Sequence, residues 1–86
     1  MPANSTPVQS VDRTLDIIEA LSAAPGGLNL SELAPRVGLH PSTAHRLLAA
    51  LAARGYAQKN PASGKYRLTL RLFEVGSRVA NETGLL

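Results

Sequence analysis

Apolar residues recur at helical spacing in four places along the chain, and each run is closed by a turn residue. In the first, Val11, Leu15, Ile18 and Leu21 mark one side of a helix running from about Val8 or Ser10 to Ala23. Ile17 and Thr14 widen the stripe, and Val8 extends it upstream. The apolar arc then covers about half the circumference, where burial against one core needs roughly 100°. The surplus suits either a second subunit or closure by the C-terminal helix. Pro25-Gly26-Gly27 ends the element, and Leu28-Asn29-Leu30 alternates like a minimal strand.

The second helix takes Ser31 as its expected N-cap, with Glu32 near its positive end and Leu33, Ala34 and Val37 as its buried face. Pro35 removes a backbone donor close to the start and is expected to distort the first turn. Gly38 stops the helix, and Leu39 plugs the turn into the core. The third helix starts near His40 or Pro41, proline being well tolerated at a first helical position. Its Ala44, Leu47, Leu48 and Leu51 follow the i, i+3, i+4, i+7 pattern. Ser42, Arg46 and Ala49 lie opposite that face, with Thr43 and His45 beside them, and Gly55 closes the element. Tyr56–Asn60 and Lys65–Leu68 read as short strands around the turn Pro61-Ala62-Ser63-Gly64. In the second strand Tyr66 and Leu68 point one way, Lys65 and Arg67 the other. Thr69 caps a last helix from Leu70 to about Asn81, with Leu72, Phe73, Val75, Gly76 and Val79 as a loose stripe.

These elements predict a mainly α domain with a small β-hairpin: a winged helix-turn-helix built of a three-helix core, a wing and a C-terminal linker helix. The expected division is a disordered tail at 1–7, the winged domain at 8–69 and the linker at 70–86. Leu30–Tyr56 carries the helix-turn-helix. A helix held by its apolar side, with small polar and basic side chains facing out, suits the major groove of DNA.

Charge sharpens that reading. The net charge is only +3, yet residues 33–73 contain Arg36, Arg46, Arg54, Lys59, Lys65, Arg67 and Arg71 and no carboxylate. The acids gather before and after this stretch. An acid-free basic run is the footprint of a polyanion partner. The plainer alternatives are a solvated basic face, a winged helix used for protein interaction, and a clamp that grips any duplex. The run separates the interaction module from the DNA binders, because such a module does not need it.

Composition excludes other classes. The 86 residues make one small domain, 44% hydrophobic but only 3% aromatic, so the core is built of Leu, Ala, Val and Ile. A domain of this size is helped by a partner chain. There is no cysteine, hence no disulfide, thiolate metal site or thiol redox chemistry, as suits a reducing cytoplasm. No apolar run is long enough to span a membrane, and the first residues lack the pattern of a signal peptide. His40 and His45 stand five apart on different helical faces, which does not make a metal pair. Ser31, Ser42 and Ser63 have no positioned base, and no phosphate-cradling glycine motif occurs, so neither catalysis nor a cofactor is expected.

Arg46 is the first candidate for a base contact, since its planar fork matches guanine O6 and N7; a phosphate contact is the alternative. Ser42 and Thr43 stand in the first turn, where hydroxyls and free backbone N–H groups can bind a phosphate; for Ser42 helix capping is the competing role. His45 suits a base, a phosphate or plain solvent. Lys59, Lys65 and Arg67 on the hairpin, and Arg36 on the second helix, suit the DNA backbone or the minor groove, or solvent alone. Arg54 and Arg71 are structural or peripheral. The scheme requires the outer flank of 42–49 and the basic hairpin to lie on one side of the molecule.

Three blocks, VQSVDRTLDIIEAL, LSELAPRVGLHPSTAHRLLAALAARGY and ASGKYRLTLRLFEVG, together resemble the N-terminal domain of the IclR family of bacterial transcription regulators. The resemblance covers about residues 8–77. It implies a winged-helix domain whose third helix, about 41–54, is the recognition helix, and a homodimer on palindromic double-stranded operator DNA in the cytoplasm. It also implies a C-terminal domain, absent from this chain, that senses a small-molecule effector and is joined through the helix beginning near Leu70. Family members repress or activate. The chain departs from the family pattern at His40-Pro41, where Pro followed by a basic residue is common before Ser-Thr, and His40 is the DNA-binding candidate to substitute for the basic contact missing at position 41.

Overall fold

Residues 8–84 are described in a computed structural model; the tail at 1–7 falls outside them, as do residues 85–86. The elements follow the order α1 (Gln9–Ser22), α2 (Leu30–Arg36), α3 (Pro41–Ala53), β1 (Ala57–Lys59), β2 (Tyr66–Leu68) and α4 (Leu70–Glu82). The core joins Ile17 and Leu21 of α1, Leu28, Leu33 of α2, Leu48 and Leu51 of α3, and Ala57 and Tyr66 of the hairpin. None of the described helices is long and apolar enough to cross a membrane.

The wide apolar arc of α1 is used unevenly. Ile17 is fully buried and Leu21 almost so, whereas Val11 and Leu15, expected on the core axis, stay 52% and 49% exposed. Ile18 only packs against the rim of the core. The reason is where the body docks. α2, α3 and β2 all pack on α1, around Ile17 and Leu21, and the first two turns project past them. α4 of the same chain does not cover the surplus. It has no buried residue of its own, and its Leu70, Phe73 and Val79 are as open as Val8, Val11 and Leu15.

Asn29, not Ser31, caps α2. The Asn29 side chain accepts from the Glu32 backbone N–H at 2.9 Å, while Glu32 Oε1 accepts from the Asn29 N–H at 3.0 Å, a reciprocal capping box. Ser31 merely donates its hydroxyl to Asn29 Oδ1. The earlier cap moves Pro35 away from the start. It now stands in the last turn, where its missing N–H leaves the carbonyl of exposed Ser31 to water. At the other end Gly38 takes φ +66°, and the N–H groups of Gly38 and Leu39 reach back to the carbonyls of Pro35 and Ala34. This left-handed closure turns the chain by the shortest path from α2 into α3.

The wing is tied to the body by one further bridge. Leu28 donates to the Tyr66 carbonyl at 2.9 Å and Tyr66 donates back at 2.7 Å, so Leu28 adds a single rung beside β2. Gly27 makes the approach possible. Its φ is +87°, and a Cβ there would lie 2.7 Å from the Tyr66 carbonyl oxygen. Gly27→Ala is expected to destabilise the domain by about 2 kcal/mol, from the left-handed backbone and the clash with backbone atoms that cannot swing aside. Urea unfolding of the two proteins measures it; an unchanged midpoint would mean that the wing is not held at this rung.

Candidate nucleic-acid interface

α3 is anchored from behind and open in front. Ala44, Leu48 and Leu51 are buried, while Ser42, His45, Arg46 and Ala49 are exposed and Thr43 is half-buried. The outer flank is therefore the one expected from periodicity, and Arg46 stands in solvent. At the C-terminal end the Tyr56 N–H reaches the Leu51 carbonyl at 2.9 Å, turning the chain directly into β1, which packs against α3.

The first turn of α3 differs from expectation in one respect that matters chemically. Pro41 has no N–H, and His40 is the N-cap. The Ser42 N–H points to His40 Nδ1 at 3.3 Å. The N–H groups of Thr43 and Ala44 both go to the His40 carbonyl at 3.0 Å. The N–H groups of Ser42, Thr43 and Ala44 are thus taken within the turn, and Ser42 Oγ lies 2.9 Å from His40 Nδ1, so the Thr43 hydroxyl, with no partner among the described residues, is the one left to donate to a phosphate. Capping passes from Ser42, for which it was weighed, to His40.

In the wing, Ala57 pairs with Leu68, Gln58 with Arg67 and Lys59 with Tyr66. Cross-strand partners share a face, so the hairpin cations are divided. Lys59 belongs to the Tyr66 face, its Nζ 5.6 Å from the ring centroid. Arg67 is exposed beside Gln58 on the opposite face. Lys65 is half-buried, with its Cβ next to Gly27. At the tip, Asn60 Oδ1 accepts from the N–H of Ala62 at 2.8 Å, which tightens the Pro61–Gly64 turn. A shallow hollow of about 260 Å³ opens between Gln58, Lys59, Asn60, Pro61 and Arg67. The sequence carries no local signal for Gln58, because only the hairpin register brings it next to Arg67. The Asn29 cap was legible as Asn three residues before Glu32.

The basic residues are not neutralised within the fold. Among the described residues the one ion pair is Arg71–Glu74, at 3.9 Å, within α4. Arg71 also lies 5.8 Å over the Tyr56 ring, close to the start of α4. Thr69 fixes that start, accepting from the Arg71 N–H and donating to the Gly55 carbonyl at 2.6 Å. Arg36, Arg46, Arg54, Lys59, Lys65 and Arg67 have no carboxylate within 4.0 Å among the described residues. A group of three or more His, Cys, Asp or Glu able to hold a metal is likewise missing among them.

Comparison with known proteins gives this arrangement a lineage. Residues 10–61 match the IclR helix-turn-helix domain family. The chain is 41% identical to the DNA-binding transcriptional repressor YiaJ of Escherichia coli over 99% of its own length and 29% of that protein's. It is 34% identical to the transcriptional repressor IclR of Escherichia coli over 92% of its length and 29% of that protein's. A crystal structure of a transcriptional regulator from Alicyclobacillus acidocaldarius superposes with a TM-score of 0.82 at 29% identity, covering 87% of this chain and 30% of that one. The chain thus spans under a third of the length of these relatives, which are named as regulators and not as enzymes. The hairpin beside a three-helix core, with an open polar flank on α3, is a winged helix-turn-helix, and the chain belongs to the IclR helix-turn-helix domain family.

Proposed function

We propose that this domain binds double-stranded operator DNA in a sequence-specific way, as one half of a homodimer, with α3 in the major groove and the hairpin at 56–68 on the flanking backbone. The observation that carries the reading is a set of exposed cations on α2, α3 and the wing with no carboxylate partner among the described residues. Arg46 reads a base; Ser42, Thr43 and His45 lie along the same flank and contact bases or phosphates. Arg36, Lys59, Lys65 and Arg67 meet the backbone, and His40 stands at the entrance of the helix. The scheme places the flank of 42–49 and the wing on one side of the molecule, and β1 packed on α3 supports that.

The uncovered stripe of Val8, Val11 and Leu15 and the open apolar side of α4 support a second copy as the natural cover. In the whole protein α4 leads toward an effector-sensing domain, and DNA binding itself needs no cofactor. Repression is the mode we assign, since YiaJ and IclR are both named repressors. Such a role belongs to the bacterial cytoplasm.

Selection from a random duplex pool tests the scheme. The recovered sequences are expected to contain two inverted half-sites about one helical turn, or a multiple, apart. Arg46→Ala should lose about 1–3 kcal/mol of discrimination at one base pair per half-site. Equal affinity for recovered and random duplexes, or a preference untouched by Arg46→Ala, would overturn it.

A further inference from the structure

His40 is the N-cap of α3, and its ring is not idle. Its Nδ1 is 3.3 Å from the Ser42 backbone nitrogen and 2.9 Å from Ser42 Oγ. We infer that His40 is a positioning residue for the recognition helix, held as the neutral Nε2–H tautomer, whose bare Nδ1 caps the first turn and aims the Ser42 hydroxyl.

The two contacts together fix the proton. An imidazole nitrogen beside a hydroxyl can donate or accept, so the contact to Ser42 Oγ alone is ambiguous. A backbone amide is not ambiguous, because its nitrogen always carries hydrogen. The ring atom facing the Ser42 N–H must therefore offer a lone pair, and the neutral ring keeps its proton on Nε2. The Ser42 hydroxyl then donates to the same Nδ1. Two donors share one lone pair, which accounts for the long amide contact. The opposite tautomer would set an N–H against the amide N–H and leave the latter unmet. Since the hydroxyl hydrogen is used on Nδ1, Ser42 Oγ turns its own lone pairs outward.

Pro41 makes this cap possible. It brings no N–H to compete for Nδ1, and it biases the preceding residue toward extended backbone. His40 accordingly stands at φ −64°, ψ 141°, from which its ring folds back over the helix entrance. His40-Pro41 thus works as a unit. The outward hydrogen at the mouth of α3 is Nε2–H, on a side chain whose orientation is already set.

The inference rests on the proposed role of α3 only for its affinity arm. Long-range ¹H–¹⁵N correlation spectra of the free chain decide the tautomer without DNA. In its uncharged form His40 is expected to show a bare Nδ1 and a protonated Nε2. His45, whose ring makes no hydrogen bond among the described residues, serves as the reference for an unrestrained ring. An Nδ1–H tautomer at His40, or averaging like that of His45, would overturn the inference and leave the DNA reading standing. In the second arm, His40→Ala should weaken binding to a duplex recovered by selection about fivefold, the usual effect of losing an N-cap. His40→Asn, which restores a capping acceptor, should recover most of that loss. Asn performing no better than Ala would show that His40 acts there by something other than capping. Failure to recover any preferred duplex would instead strike the proposed role of α3, with the spectra still deciding the cap.

Discussion

Raising the salt from about 50 mM to about 200 mM is expected to weaken operator binding about 150-fold for each chain engaged. Four cations are assigned to the backbone: Arg36, Lys59, Lys65 and Arg67. Each neutralised phosphate releases condensed counterions and contributes about −0.9 to the slope of log K against log salt. Four contacts give a slope of about −3.6, and a symmetric pair doubles it to about −7. The effect exceeds that of any single side chain because it is entropic and accumulates over contacts. No carboxylate lies within 4.0 Å of these cations among the described residues to compete with a phosphate. Fluorescence anisotropy over a potassium chloride series measures the slope. Replacing Lys65 and Arg67 by Ala should reduce it by about 1.8 for each chain, with sequence preference kept. A slope near zero, or one indifferent to both replacements, would remove the wing from the interface. Lys59 is the subtler case, because its ammonium already lies over the Tyr66 ring and must leave that site to reach a phosphate.

Leu48→Ala is expected to lower the stability of the domain by about 2–5 kcal/mol. Leu48 is fully buried and sits at the centre of the core, on the inner side of the helix that carries Arg46 outside. Removing its methyl groups loses their transfer free energy and leaves a cavity in the core, where α3 packs on α1, α2 and β1. Domains of this size hold roughly 5–15 kcal/mol in all, so a substantial unfolded population is expected on modest warming. Denaturant unfolding followed by circular dichroism checks it. Ala49, next along the helix but exposed, gives the contrast: Ala49→Ser should change stability by less than about 0.5 kcal/mol. If the two variants unfolded alike, the division of α3 into an anchored and an open side would be wrong.

The division between what was readable in the chain and what was not follows the range of the forces involved. Helix positions, the stop at Gly38, the Thr69 cap and the exposed flank of α3 depend on neighbours within about four residues, so periodicity and turn chemistry suffice for them. The acid-free run is a property of composition alone. Ser31 and Asn29 were both local signals for one cap, and the reciprocal bond to Glu32 makes Asn29 the stronger, because it satisfies two donors instead of one.

Three features belong to the tertiary structure. The choice of Ile17 over Val11 and Leu15 depends on where α2, α3 and β2 dock along α1. The separation of Lys59 from Arg67 depends on which residues face each other across the hairpin. The rung from Leu28 to Tyr66 depends on a backbone approach that only Gly27 allows. Sequence alone determined that a basic helix-turn-helix with a wing is made, since each part is written in nearby residues. Which part of the apolar arc of α1 is spent on the core, and how the hairpin cations divide between its two faces, was decided by contacts between residues far apart in the chain, whose pairing no local pattern records.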